Sequence, residues 1–206
     1  MPIRHEVKPG DCISSIAFEY GHFPDTVWND AANAELRQKR ESPNVLSPGD
    51  VVVVPDMRLK EEGRPTDARH RFRRRGVPEK FRLQLLDCGE PRALLKYTLD
   101  IDGRLIEGCT DEEGYLEHRI PPNAQRGKLV ISRHEEYELE LGHLSPPAED
   151  GGFRSRLVNL QYLADEPGNE EDLAAAIESF QSDYGLDVSG QMDEPTRQAL
   201  RDAHGS

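Results

Sequence analysis

The sequence predicts a multidomain α+β protein: an N-terminal βααβ unit, a central small antiparallel β-sandwich or barrel, and a C-terminal three-helix domain. Three observations predict it. A Pro-Gly-Asp turn occurs twice, at Pro9 to Asp11 and at Pro48 to Asp50, bracketing two short amphipathic segments. Between residues 81 and 144 the apolar period falls to two, the period of strands. After residue 153 it rises to the helical three-to-four. The divisions follow as 1–56, a basic linker 57–80, a β-domain 81–144, a linker 145–152 and a helical domain 153–206.

In the first division, His5-Glu6-Val7 leads as a strand into Lys8 to Asp11. Gly10 supplies a positive φ, and Asp11 is the expected cap of the first helix. Ile13, Ile16, Ala17 and Tyr20 then recur at helical spacing, and Gly21 is a stop. Pro24-Asp25-Thr26 opens a second helix carrying Val27 and Trp28. Val51 to Val54 is a β-branched run ended by Pro55, which reads as a buried strand.

These residues resemble a LysM module, a small βααβ domain that binds N-acetylglucosamine-containing glycans such as peptidoglycan and chitin. His5-Glu6-Val7 stands at the family's aromatic-x-Val, Gly10 to Ile13 at its Gly-Asp-Ser/Thr-Leu, and Asn33 at the Asn after its second helix. Pro48-Gly49-Asp50 and Val54-Pro55 match its closing Pro-Gly and Ile-Pro. The resemblance implies a sugar groove between two loops: Gly10, Asp11, Cys12 and Ile13 on one side, and Asn44, Val45, Leu46, Pro48 and Gly49 on the other. Backbone amides there would serve acetamido groups, and Ile13, Val45 and Leu46 would pack sugar faces. The other reading of these nine residues is that they shape turns and fill a small core. Two departures touch the groove. Cys12 replaces a hydroxyl residue, and Glu35 to Pro43 lengthens the stretch before the second strand.

Composition bounds the classes. The chain has 206 residues, a formal charge of −13 and only 35% hydrophobic residues, which favours several small cores over one large one. The acidity argues against nonspecific nucleic-acid binding by the whole chain. No apolar run approaches the roughly 20 residues of a membrane span. The N-terminal MPIRHEV lacks the apolar core of a secretory signal, so either a signal has been cut away or export does not use the general route. Cys12, Cys88 and Cys109 offer neither a disulfide framework nor metal-ligand spacing, and read as reduced thiols. No cofactor is expected.

The linker 57–80 with Asp56 carries nine Lys/Arg against five Asp/Glu. Its run Arg69 to Arg75 suits an anionic surface or an acidic neighbour, or is a solvated connector. In the β-domain, Phe81, Leu83 and Leu85 share a face, as do Leu95, Tyr97, Leu99 and Ile101. Asp102-Gly103 is a hairpin turn, Asp111 to Gly114 another, and YLEHRIP, KLVIS and EYELELG supply further strands. The carboxylates of Asp100, Asp102, Asp111, Glu112 and Glu113 suit either turn chemistry or Ca²⁺, without EF-hand order.

In the last division, Leu157, Leu160 and Leu163 fall on one helical face. Asn169 caps a second helix with Leu173, Ala176, Ile177 and Phe180 on its inner face and Gly185 at its end. Asp193 caps a third, with Pro195 in its first turn and Leu200 facing inward. Phe180-Gln181, Gly185-Leu186-x-Val188-x-Gly190 and Asp193-x-x-Thr196 resemble the three-helix peptidoglycan-binding domain attached to many wall hydrolases. Gln161 stands where that family often has Gly. From Asp150 onward there are four Arg against twelve acids, so an anionic polymer is repelled at long range and recognition must be short-range.

An enzyme is not expected. The one nucleophile–base pair in view is Cys109 with His118, expected on neighbouring strands. The pairing of a LysM module with a peptidoglycan-binding domain, without a visible signal, is similar to accessory proteins of type VI secretion and other contractile injection systems. That resemblance implies a wall-binding adaptor, cytoplasmic until a Sec-independent machine delivers it to the periplasm or outside. Its partners would be peptidoglycan or another N-acetylglucosamine glycan and a spike, carrier or effector protein. The alternatives are a docking adaptor without glycan affinity and the targeting subunit of a wall hydrolase.

Overall fold

A computed structural model of the chain describes residues 1–40, 42–57, 63–71, 78–87, 89–132, 135–164 and 169–205. Cys88 and the Phe72 to Arg75 part of the basic run lie outside the described residues. The chain divides into two compact units. One comprises Met1–Asn44 with Pro48–His143, and the other Val45–Ser47 with Leu144–Ser206.

The first unit begins with β1 (Ile3–Glu6), α1 (Ile13–Glu19), α2 (Pro24–Trp28), a 3₁₀ turn (Ala31–Asn33), α3 (Ala34–Lys39) and β2 (Val51–Val54). β1 and β2 pair antiparallel from Ile3 opposite Val54 to Glu6 opposite Val51. A lone two-stranded sheet is marginal in water, so it needs the helices over one face. Ile13, Ile16 and Ala17 of α1 and Val27 of α2 supply that cover and, like Val52 of β2, are fully buried. The βααβ expectation lacks α3, which forms within the lengthened stretch before β2.

Two local expectations change. Asp11 is not the helix cap. Its carboxylate accepts from Lys8 N at 2.9 Å and from His5 Nε2 at 3.0 Å, closing the turn instead. Cys12 is the cap. Its sulfur accepts from Ser15 N at 3.4 Å, and Ser15 Oγ accepts from Cys12 N at 2.9 Å, a capping box with sulfur in the place of a hydroxyl.

The rest of the unit is β-structure: β3 (Glu79–Gln84), β4 (Leu86–Asp87), β5 (Glu90–Pro91), β6 (Lys96–Ile101), β7 (Arg104–Cys109), β8 (Tyr115–Ile120), β9 (Arg126–Ser132) and β10 (Glu135–Glu140). A four-stranded antiparallel sheet runs β10-β9-β6-β7, and β3 pairs separately with β8. Leu116 and Ile120 of β8 share a core with Tyr97, Leu99 and Ile101 of β6 and Leu129 of β9, so the two sheets stack. The β6–β7 hairpin turns on Asp102 (φ +47) and Gly103 (φ +86), both in the left-handed region that this two-residue turn requires.

The second unit holds α4 (Asp150–Asn159), α5 (Glu170–Asp183) and α6 (Glu194–His204) around Phe153, Leu157, Ile177, Phe180 and Leu200. α4 starts at Asp150, within the expected linker 145–152. Its Gly-Gly hides the start. Gly152 is buried where a Cβ would meet Pro146 O at 1.9 Å, so only glycine fits against the incoming chain. Leu160 and Leu163 lie beyond the end of α4 but still pack on the core. Gln161, at the family's glycine position, has φ +66. Within this unit Ser47 Oγ donates to Glu149 Oε1 at 2.7 Å. Among the described residues, no helix is long and apolar enough to cross a membrane.

Candidate functional site

The nine residues of the expected LysM-type groove divide sharply by exposure. Gly10 is buried, with a Cβ there meeting His143 Nε2 at 3.0 Å. Ile13, Val45 and Leu46, expected to pack sugar faces, are 0%, 6% and 5% exposed. Asp11 and Cys12 are half-buried, and their polar atoms serve the turn and the helix cap. Asn44, Pro48 and Gly49 are exposed. Val45 and Leu46 fall in the second unit and the other seven residues in the first.

A separate, open concavity of about 750 Å³ lies beside the two-stranded sheet, lined by Arg4, Ala31, Ala34, Lys39, Gly49 and Val51 among others. Of the nine expected residues only Gly49 lines it. Asp50, which also lines it, is buried and paired with two residues: Arg40 Nε donates to Oδ2 at 2.6 Å, Arg40 Nη2 to Oδ1 at 3.1 Å and Lys39 Nζ to Oδ1 at 2.8 Å. Asn33, also buried, donates to Val27 O and Val53 O and accepts from Val53 N, each at 2.8 Å. It fastens the outer edge of β2 to the end of α2.

The β-domain does not bring Cys109 and His118 onto neighbouring strands. β7 pairs with β6 and β8 with β3, so the expected hairpin neighbours belong to different sheets. His118 Nε2 lies 2.7 Å from the Tyr97 hydroxyl, whose ring covers Gly108, and Cys109 is exposed. Tyr97 has its pKa raised by burial. The acidic turn residues act locally. Asp100 Oδ1 accepts from Gly103 N at 2.7 Å, Asp102 from Gln125 N and Arg126 N, and Asp111 Oδ1 from Glu113 N and Tyr115 N. Among the described residues no group of three or more His, Cys, Asp or Glu is placed to hold a metal ion.

The helical unit explains its own signature residues. Gln181 is fully buried at the end of α5. Its Oε1 accepts from Ser189 N at 2.8 Å and Gly190 N at 3.0 Å, while Nε2 donates to Gln191 O and Thr196 Oγ1, each at 2.9 Å. One amide side chain thus holds the loop between α5 and α6 and the first turn of α6. Asp193 Oδ1 accepts from Thr196 N at 2.9 Å and from its hydroxyl, which holds the Asp193 pKa below the usual carboxylate value.

Beside this scaffold is an aromatic cluster that the sequence pattern left out. Phe180, fully buried, stacks on Tyr184 with ring centroids 4.4 Å apart at 27°, and Tyr162 meets Phe180 edge-on at 5.3 Å and 87°. Tyr162 donates to Asp183 Oδ2 at 2.9 Å, and Tyr184 is 47% exposed. The available signal was spacing, since Tyr184 follows Phe180 by four residues at the end of a helix. Arg156 of α4 is buried and donates to Ser145 O and Gly152 O, with its pKa lowered to about 10 by burial. His204 accepts from Asn159 Nδ2 at 2.9 Å, and burial and then Arg156 push its pKa down to about 4.

No curated protein and no solved structure matches the chain. Residues 152–200, which span α4, α5 and the first part of α6, match the sequence model of the peptidoglycan binding domain family. The C-terminal helices are therefore similar, over these residues, to the peptidoglycan binding domain family.

Proposed function

We propose that the chain is a non-catalytic wall-binding adaptor that holds peptidoglycan through its helical unit. The observation that carries this reading is the family match over residues 152–200, on a scaffold where Gln181, Asp193 and Thr196 each have a structural duty. The LysM resemblance at the other end points to the same polymer. It extends the proposal to an accessory or cargo component of a type VI secretion or phage-tail-like injection system, held in the cytoplasm before delivery.

A second reading assigns the LysM-like segment to protein docking without glycan affinity. The burial of Gly10, Ile13, Val45 and Leu46 favours it, because a core residue is not offered to a sugar. One experiment separates the two. The purified chain is sedimented with insoluble peptidoglycan at low and high salt. Retention at both supports wall binding. Absence of retention discards it in favour of docking, and release of soluble muropeptides by the chain alone would replace the adaptor by a hydrolase.

A further inference from the structure

We propose that Tyr184, backed by Phe180 and flanked by Asp183 and Tyr162, is a stacking subsite for a neutral N-acetylhexosamine of a glycan strand. The inference rests on the wall-binding reading and names the place and ligand chemistry within it.

The electrostatics come first. With four Arg against twelve acids from Asp150 onward, the helical unit cannot draw a carboxylate-bearing polymer by charge, so it has to hold the polymer's uncharged parts. A pyranose offers two such parts, a flat face of C–H bonds and a rim of hydroxyl and acetamido groups. The first calls for a fixed aromatic plane with one side open, the second for nearby hydrogen-bonding groups.

Tyr184 has both. One side of its ring lies on Phe180 at 4.4 Å, and Phe180 is fully buried and braced edge-on by Tyr162, so the plane is set before any ligand arrives. Nearly half of Tyr184 remains in solvent, although Tyr is a residue whose ring gains by burial. Asp183 is adjacent in the chain, with its carboxylate steadied by the Tyr162 hydroxyl at 2.9 Å. The Tyr162 pKa is raised by burial, then by Asp183, and also by Tyr184. A carboxylate there accepts from sugar hydroxyls and the acetamido N–H and repels a sugar carrying its own acid. The preferred residue is therefore N-acetylglucosamine rather than a neighbour whose lactyl carboxylate is free.

The test uses the full chain and tri-N-acetylchitotriose. In a titration followed by NMR, the ring resonances of Tyr184 and Tyr162 should shift together. Tyr184→Ala should weaken retention on insoluble peptidoglycan by about tenfold, the effect of losing a stacked aromatic anchor. Tyr184→Phe, which keeps the plane, should stay close to the parent. If the parent is retained and Tyr184→Ala is retained equally, the subsite is wrong while the wall-binding reading stands. If the parent is not retained, both fall. Should Tyr184→Ala melt at a lower temperature, the NMR titration of the parent decides, and silent Tyr184 rings overturn the proposal.

Discussion

Single residues carry more of this structure than its small cores suggest. Cys12 stands where the LysM resemblance has a hydroxyl, and its sulfur does that hydroxyl's work of capping α1. Asp50 is the second Asp of the repeated Pro-Gly-Asp, but its neighbours make it a buried anion held by Arg40 and Lys39. Removing one partner of a buried ion pair leaves an uncompensated charge, so Asp50→Ala should lower stability by about 3–5 kcal/mol in urea unfolding. A loss under about 1 kcal/mol would mean that water reaches Arg40 and compensates it. Gln181 makes a comparable case without charge. Gln181→Leu fits the volume but strands the amides of Ser189 and Gly190, and should cost about 2–3 kcal/mol in thermal or urea unfolding. An unchanged midpoint would show those amides solvated.

Elements were read best where caps and periodicity agree. α5 and α6 begin at the expected Asn169 and Asp193, because a side-chain acceptor at the cap satisfies an amide that the helix cannot. The sequence places α4 too far along the chain: its first turn is Asp-Gly-Gly, where glycine is a poor helix former in isolation, and Leu160 and Leu163 lie beyond its end at Asn159. The packing of α6 against α4 also predicts a pH response. His204 drops from its ordinary 6.5 to about 4 through burial and then Arg156, and it accepts from Asn159. The unfolded chain therefore takes up the proton first as pH falls. This contribution to stability is complete above about pH 6.5 and is lost between there and pH 4. Over that window the parent should lose roughly 2 kcal/mol more than His204→Gln, a difference read from urea midpoints at pH 7 and pH 4.5. Equal losses in the two proteins would rule the histidine out.

For the whole molecule the governing quantity is charge. At −13, the chain meets an anionic polymer with repulsion that salt screens over about 10 Å at 0.1 M. Retention on peptidoglycan should therefore hold or rise between 50 mM and 500 mM salt. A fall of several-fold would mean that a basic segment, not the helical unit, makes the contact.

The strand–helix–strand order at the N-terminus, the β-rich middle and the three C-terminal helices, with the caps of α5 and α6, were legible in the sequence alone. Local sterics, capping and apolar period act over a few residues, and those distances are written in the chain. The peptidoglycan-type signature was legible for the same reason: Phe180, Gln181, Asp193 and Thr196 lie within one turn-and-cap arrangement. What only the tertiary structure decided is which apolar residues are spent on the core. Ile13, Val45 and Leu46 are chemically fit for a sugar face and are buried, while Tyr184 is left half in solvent. Likewise β8 left its hairpin neighbour β7 to pair with β3, parting His118 from Cys109. Burial and strand partnering are set by contacts between distant parts of the chain, and no local pattern encodes them.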